Sequence, residues 1–465
     1  MAKQNQIHPV DRILPPGELI VYGLQHVLIM YAGAIAVPLI IGGVLKLPKE
    51  QIALLINCDL FACGVISIIQ SIGFWKLGVR LPVMMGVTFA TVPSMIVLAA
   101  DPALGAPGLY GAIIGAGLVS MMLAPFVGKL VRFFPPVVTG TVITVTGLTI
   151  MRIGINWAAG GNPTVKQMVD GVLTDVPNPA YGAPEHLIFA FLVFLVILLV
   201  AKFCRGFWAN ISVLMGLAFG FLIALATGRV DFSGLAEAPW VEIVQPFAFG
   251  WPTFHPWAIA SLSIVMVVVM VETIGLLLAV GEMVGRRPDP QAITRGLLVD
   301  GFGTVFGGIF NTFPYVSYSQ TVGLVGVTGI RSRWVCGAAG LILIALAFLP
   351  KLAVIAASIP IYVLGGAGIV MFGMVCATGI KILGQVDYSN RNNLFIVAIS
   401  IGVGMIPMVA PGFFGHMTKS LAPLTHSGIA LAALTAVILN AYFNHMASRD
   451  RVEDRPVESA TVSAE

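Results

Sequence analysis

A single carboxylate lies inside one of the most apolar runs of the chain. Glu272 follows 264–271, an unbroken series of Ile, Val and Met residues. Ionisable side chains in such runs carry a large desolvation cost and therefore mark functional positions. A carboxylate can accept hydrogen bonds from ligand N–H groups when ionised and donate one when protonated. We predict that Glu272 binds a ligand and carries a proton; the alternative is a carboxylate satisfied by neighbouring backbone groups.

A second polar stretch, 311–323, lies deep in the apolar second half of the chain. It contains hydroxyls, an amide and Pro314 where a lipid-facing helix would have aliphatic side chains. Polar or irregular backbone at membrane depth is tolerated only where it is buried in protein or lines a cavity. Gln320 offers both a donor and an acceptor, which suits the edge of a planar heterocycle. The alternative for Gln320 is a hydrogen bond between helices.

A third stretch, Gly86 to Thr91, places the hydroxyl of Thr88 beside the ring of Phe89. An aromatic ring can stack on a flat ligand, although packing in the protein core is the commoner role. Half-helices that begin near 89–95 and 320–326 would direct backbone N–H groups and positive dipole ends at an anionic ligand.

Three further ionisable residues lie in apolar surroundings. Asp300 begins the ninth apolar segment, where a structural role and a proton-linked role are both open. His26 lies in the first segment, and a hydrogen-bonded core histidine is the favoured interpretation. Asp59 either ties helices together or relays protons, and the sequence does not choose between these roles.

The composition requires a membrane protein around these residues. The chain is 58% hydrophobic and 10% charged, with a mean hydropathy of +0.96, and apolar runs of about 20 residues recur. We predict an all-α polytopic fold with segments near 18–45, 51–73, 81–100, 108–128, 136–156, 185–203, 208–228, 257–283, 295–311, 313–330, 333–350, 354–381, 392–411 and 424–444. The polar stretches at 86–91 and 311–323 fall in the third and tenth segments, which is the third place in each set of seven. An odd number of spans per half inverts the second half, and matching interruptions indicate a transporter's binding site.

Charge placement orients the predicted spans. With fourteen spans, 18 of the 25 Lys and Arg residues fall on the side of both termini. The positive-inside bias therefore predicts cytoplasmic termini in a multi-pass protein of the cell membrane. The polar connections at 157–184 and 229–256 then face outward. No signal peptide is evident before the first span, and we expect the charged tail at 447–465 to be disordered.

Other classes of protein find little support in the sequence. Hydrolase, metalloprotease and nucleotide-binding motifs are missing, and the five cysteines are scattered without metal-ligand spacing. We therefore expect no enzyme activity, metal or cofactor. The net charge of +4 comes from loops and does not imply nucleic-acid binding. A membrane enzyme using Glu272 and His26 lacks a nucleophile, and a passive channel lacks a ring of charges.

Several of these stretches together resemble one known family. Val271–Gly275, Val299–Gly301, and Tyr318–Gly323 followed by Thr328–Arg333 are similar to motifs of the nucleobase–ascorbate transporters. Gly23–His26 with Tyr31–Gly33 resembles the first-segment motif of that family. The resemblance extends from about residue 17 to 445.

The resemblance implies a seven-plus-seven inverted repeat with short strands in segments 3 and 10. A core domain of segments 1–4 and 8–11 would move against a gate domain of segments 5–7 and 12–14, through which two copies form a homodimer. The implied ranges are 1–16 for the cytoplasmic N-terminus, 17–135 and 257–350 for the core, and 136–228 and 354–444 for the gate, before the tail.

The resemblance also implies roles for particular residues. Glu272 and Gln320 would hold a purine, with Phe89 packing nearby, while Asp300 and His26 tune activity or geometry. The predicted binding residues at the two strands are Thr88, Phe89, Ala90, Tyr318, Ser319, Gln320 and Thr321.

The substrate is inferred from differences within the family. Uracil transporters typically have Glu at the position of Gln320 and His at that of Leu276. Thr88 resembles urate-transporting relatives, whereas Thr321 departs from the usual Asn and leaves the choice of urate or xanthine open. We predict a proton-coupled symporter for urate that also takes xanthine; the alternatives are a xanthine-selective permease and an inorganic-anion or dicarboxylate carrier of the same fold.

Overall fold

The computed structural model describes residues 8–127, 135–169, 172–417, 425 and 427–446. Within these ranges, the description omits the side chains of residues 165–169, 172–175, 320–323, 327, 445 and 446. The predicted disordered tail at 447–465 and residues 1–7 of the predicted N-terminal region lie outside the described residues.

The first half of the chain contains seven helices of nine residues or more and three strands among its described residues. A single 3-10 turn, Phe89–Thr91, joins β1 to α3. The elements are α1 (Pro16–Val44), α2 (Lys49–Ile72), β1 (Met85–Val87), α3 (Val92–Ala100), α4 (Gly105–Leu123), α5 (Pro136–Ala158), β2 (Thr164–Val169), β3 (Val172–Pro177), α6 (Pro184–Phe203) and α7 (Ser212–Ala226), with a one-turn helix at Phe207–Asn210 before α7.

The second half begins with the same order of two helices, a strand and two helices. Its elements are α8 (Pro256–Val284), α9 (Pro290–Ile309), β4 (Tyr315–Ser317), α10 (Ser319–Thr328), α11 (Trp334–Ala347), α12 (Pro350–Ala357), α13 (Ile361–Leu383), α14 (Arg391–Val409) and α15 (Gly428–Asn440). Many helices begin with proline, whose missing N–H would have no partner in the first turn. The helices α8 and α10 are followed by Gly285 and Gly329, both in the left-handed conformation that favours glycine.

Eight helices among the described residues are long and apolar enough to cross a membrane, and a bent pair could form a ninth span. Helical elements occupy all fourteen predicted positions, but several are short, so the number of crossings stays a prediction. The boundary predicted between segments 11 and 12 was wrong. The helices α11 and α12 meet at 83°, and α13 begins at Ile361 rather than at 354. The residues before Pro350 and Pro360 are disfavoured in helical conformation, which explains both breaks.

The two broken segments meet as a small antiparallel sheet at the centre of the fold. In its register Met85 faces Ser317, Gly86 faces Val316 and Val87 faces Tyr315. Two further backbone bonds extend the pairing, because the N–H of Thr88 donates to the carbonyl of Pro314 and that of Tyr318 to Met84, each at 2.9 Å. The prediction of short strands in the third and tenth segments is therefore confirmed. The hairpin of β2 and β3, in the connection predicted only as polar, was not foreseen.

Glycines permit close contact between α5 and α13. On α5, added Cβ atoms at Gly140 and Gly154 would come within 2.9 Å of Leu383 and Ile369, respectively. On α13, a Cβ at Gly365 would overlap the backbone of Ala158. Small residues at such contacts let helix backbones approach closely in a membrane protein. Because α5 belongs to the first half of the chain and α13 to the second, this contact joins the two halves.

We expect Gly365→Ala to destabilise the protein by about 1–3 kcal/mol, because the added methyl group meets rigid backbone. The matched control is Gly373→Ala on the same helix, where the added Cβ would make an ordinary contact of 3.6 Å with Met151. Thermal unfolding of the two purified variants measures the difference. Equal midpoints would contradict this account of the helix pair.

Candidate functional site

Each central strand leads directly into a helix start, so two helix N-termini converge beside the sheet. The 3-10 turn at Phe89 follows β1, and α10 begins at Ser319 after β4. Thr88 caps the first of these: its hydroxyl oxygen accepts the N–H of Ala90 at 3.2 Å, and its carbonyl accepts the hydroxyl of Thr91 at 3.1 Å. Thr88 and Ala90 are both buried. Thr88 therefore supports the backbone of the site as well as being a candidate contact.

The ring of Phe89 packs against α13, in the second half of the chain. Its centroid lies 5.9 Å from that of Phe372 on α13, with the rings close to perpendicular. Phe372 is fully buried and Phe89 is 8% exposed. Edge-to-face pairs of this kind stabilise aromatic packing. The core-packing alternative for Phe89 is thus realised here, and stacking on a ligand stays a prediction.

Two glycines make room for Tyr318, which joins β4 to α10. A Cβ at Gly86 would lie 2.6 Å from the ring carbon Cδ2 of Tyr318, and a Cβ at Gly33 on α1 would overlap its hydroxyl. Tyr318 is buried and Ser319 is half-buried at the start of α10. Gln320 and Thr321 belong to α10, but their side chains lie outside the described part of the structure.

Glu272 lies on α8, the helix that packs against β4, the 3-10 turn and α10. Its side chain is half-buried, between the buried residues Val271 and Thr273. Among the described residues, no hydrogen-bond or ion-pair partner of the Glu272 carboxyl group is found. An unpartnered, half-buried carboxyl group has its acceptor atoms free for a ligand or a proton.

Asp300 lies behind this helix rather than on the site surface. It is fully buried, and its Oδ2 accepts the hydroxyl of Thr273 at 2.5 Å. Its carbonyl accepts the hydroxyl of Thr304 at 2.7 Å, and that hydroxyl oxygen accepts the N–H of Tyr315 at 3.2 Å. These bonds tie α8 and α9 to β4, so Asp300 is a positioning residue for the site in this structure.

His26 lies on α1 and is buried, and its Nδ1 has no hydrogen-bond partner among the described residues. The sequence favoured a hydrogen-bonded core histidine. His26 is buried as expected, but its Nδ1 does not form the expected bond within the described residues. His26 and Gly33 are seven residues apart and so share one face of α1. Because Gly33 adjoins Tyr318, the face of α1 that carries His26 is directed at the strand-to-helix junction.

Asp59 forms a buried polar cluster with the residues that lead into β4. Its Oδ1 accepts the hydroxyls of Tyr315 at 2.5 Å and Thr312 at 2.8 Å, with the thiol of Cys63 at 3.8 Å. Asp59 is fully buried on α2. The sequence left open whether Asp59 ties helices together or relays protons. These contacts support the first role, because they join α2 to the residues at the start of β4. The sequence signal was a carboxylate within an apolar run, but nothing in it identified Tyr315 as the partner.

Within the described ranges, no group of three or more His, Cys, Asp or Glu residues could hold a metal ion. The arrangement offers hydrogen bonding, helix N-termini and a carboxyl group, which suits binding and release of a small molecule.

Two broken segments at matching positions of the two halves of a multi-pass helical protein are typical of transporters of small molecules. The family model described as "Permease family" (Xan_ur_permease) matches residues 17–413. The chain therefore belongs to this permease family, which confirms the resemblance to the nucleobase–ascorbate transporters drawn from its motifs.

Curated relatives align over nearly the whole chain. The uric acid transporter UacT of Escherichia coli K12 is 50% identical over 97% of this chain and 92% of its own length. The xanthine permease of Bacillus subtilis 168 is 40% identical over 94% of this chain and 96% of its own. The uric acid permease PucJ of the same organism is 39% identical, covering 90% and 91%.

Solved structures share the fold at low identity. The transmembrane domain of the cyanobacterial bicarbonate transporter BicA has a TM-score of 0.55 at 15% identity, covering 92% of this chain and 98% of that chain. The structure of SLC26A9 has a TM-score of 0.62 at 13% identity, covering 92% and 66%. These likenesses confirm the seven-plus-seven inverted-repeat fold class.

We expect Gly33→Ala to reduce substrate uptake at least tenfold, because the added methyl group displaces Tyr318 and with it the start of α10. Adding Tyr318→Phe to this variant removes the overlapping hydroxyl and should restore part of the uptake. Rates of radiolabelled substrate uptake, normalised to protein in the membrane, measure both effects. Uptake by Gly33→Ala at the unaltered rate would show that Tyr318 does not need this space.

Proposed function

We propose that the protein imports urate, with xanthine as a second substrate, together with a proton. The observation that carries this proposal is the half-buried Glu272 carboxyl group, which lacks a partner among the described residues. It lies on the helix that packs against the 3-10 turn and α10, in a chain that is 50% identical to a uric acid transporter. A purine presents N–H donors and carbonyl acceptors along its edges, and a carboxyl group can pair with either according to its protonation.

Proton coupling follows from the charge that must cross the membrane. Urate is a monoanion near neutral pH, and moving one elementary charge across the membrane costs about 2.3 kcal/mol per 100 mV. A proton taken up at Glu272 with each urate makes the combined step electroneutral. In this proposal Gln320 pairs with the other edge of the purine. Backbone groups within 88–90 and 318–320 help to hold the purine, apart from the N–H groups of Thr88, Ala90 and Tyr318, which are bonded within the protein.

Alternating access would require the core and gate domains to part at identifiable contacts. The edge-to-face pair of Phe89 and Phe372 is one. The second is the bond between the hydroxyls of Ser94 on α3 and Ser427, which precedes α15, at 2.9 Å. In the proposed cycle both contacts break as the core domain, with its bound purine, moves past the gate domain.

The proposal includes an orientation and an assembly. Both termini face the cytoplasm of a cell-membrane protein, as the positive-inside bias indicates. Two copies associate through their gate domains. Exposed apolar side chains along α6 support a protein or lipid contact there, namely Leu187, Ile188, Phe191, Leu198 and Phe203.

A xanthine-selective permease is the second candidate. It is favoured by the relative named a xanthine permease, at 40% identity, while Thr321, which departs from the usual Asn, leaves the choice between urate and xanthine open. Labelled urate accumulation in cells, competed with excess xanthine or uracil and repeated with a protonophore, separates the candidates. Protonophore-sensitive urate uptake that xanthine but not uracil blocks supports the first. Xanthine uptake without urate uptake supports the second.

We expect Glu272→Gln to abolish accumulation, because the amide cannot exchange the coupled proton, although some substrate binding can survive. The matched control is Glu282→Gln, the same change on the same helix at an exposed position, which should accumulate substrate like the unaltered protein. Time courses of uptake with equal membrane expression make the comparison. Accumulation by Glu272→Gln near the normal level would remove Glu272 from the coupling role.

A further inference from the structure

A cavity of about 660 Å³ opens between the proposed core and gate domains, away from Glu272. Its described walls come from the end of α1, the start of α2, the middle of α3, the second half of α5, the start of α13 and the regions where α14 ends and α15 begins. Small-molecule sites commonly have volumes of about 300–1,000 Å³. In the proposed orientation this end of the molecule faces outward, because α1 starts on the cytoplasmic side.

Arg152 is the one charged residue among the described residues that line this cavity. It lies inside α5, six residues before the helix ends at Ala158. Its side chain is exposed, and it has no ion pair or hydrogen bond within the described part of the chain. A cation in a membrane-spanning helix is costly and commonly marks a path for substrate or ions. The guanidinium group therefore has its donors free to meet an anion.

The residues around Arg152 suit a flat polar ligand. Thr149 and Asn156 lie one turn away on the same helix, and Trp157 and Asn162 complete this side of the cavity. The opposite wall, with Pro93, Ile96 and Val97 of α3, is apolar. A site with one cation, side-chain amides and apolar surfaces matches a planar anionic heterocycle, because the guanidinium fork pairs with delocalised negative oxygens.

The cavity adjoins the central site through α3. Pro93, which lines the cavity, is one helical turn beyond Phe89 of the central site. The next residue, Ser94, forms the hydroxyl bond to Ser427, and Gly428 after it lines the cavity. The two contacts that must part in the proposed cycle thus lie at the boundary between this cavity and the strand-to-helix junctions.

We propose that this cavity is an outer binding site at which Arg152 receives the anionic form of the purine before the ligand passes Phe89 to reach Glu272. This inference rests on the proposed function. An unpaired cation in a cleft with low-dielectric walls raises the local concentration of anions and their rate of association. Arg152 acts on capture rather than on coupling, so it governs KM, whereas Glu272 governs accumulation.

The first test compares urate uptake by Arg152→Gln, Arg152→Lys and the control Lys46→Gln. Lys46 is exposed near the same end of the molecule and does not line the cavity within the described residues. We expect Arg152→Gln to raise the KM for urate about five- to tenfold at low salt, with an unchanged maximal rate. Arg152→Lys should recover most of this loss, and Lys46→Gln should match the unaltered protein.

Ionic strength supplies a readout that a structural role of Arg152 would not change. Salt screens the attraction between an exposed cation and an approaching anion, so the KM of the unaltered protein should rise with added salt. The KM of Arg152→Gln should stay nearly constant. An unchanged KM in Arg152→Gln, or the same salt dependence in both proteins, would overturn the inference.

Binding measurements separate this inference from the proposed function. In purified Glu272→Gln, urate should still raise the unfolding temperature in a salt-sensitive manner, and adding Arg152→Gln should remove the salt-sensitive part of that increase. An increase that keeps its full size and its salt sensitivity after Arg152→Gln is added would overturn the outer site. Failure of the unaltered protein to take up urate would overturn the proposed function. Urate uptake with the same KM by the unaltered protein and by Arg152→Gln would overturn only the outer site.

Discussion

Antiparallel pairing of β1 with β4 is the interaction on which the rest of the structure depends. In a bilayer an unpaired backbone N–H or carbonyl costs several kcal/mol, so a helix can be interrupted there only if its freed groups find partners. The three facing residue pairs and the bonds at Thr88 and Tyr318 supply those partners. They allow two helices to begin near the middle of the molecule, where their N-termini are available to a ligand.

The surrounding side chains hold this small sheet in place. Asp59 fixes the approach to β4 from α2, while Asp300 links α8 and α9 to it through Thr273 and Thr304. Gly33 and Gly86 leave space for Tyr318. Two buried carboxyl groups therefore support the backbone of the site, and Glu272 is the one that the described structure leaves open. Similar residue types thus have different roles because their hydrogen-bond partners differ.

The sequence could predict the membrane fold and the two broken segments, and it singled out Glu272 as a candidate, because apolar runs and isolated polar residues are local signals. It could not predict the partners of Asp59 or Asp300, since Tyr315 and Thr273 lie far from them along the chain. The 83° bend between α11 and α12 and the later helix start at Ile361 were missed because an apolar run does not reveal the breaks within it. Nothing in the sequence singled out Arg152, because only the packing of α5 against α3 and α13 shows that this residue faces a cavity.

The interlocking of the two halves has a consequence for how the protein is made. The first half contributes β1 and α5, but β4 and α13, their partners, are synthesised more than 200 residues later. Until then β1 lacks the strand that pairs its backbone groups, and α5 lacks the helix that its glycines contact. The central site can therefore form only after both halves of the chain have been made.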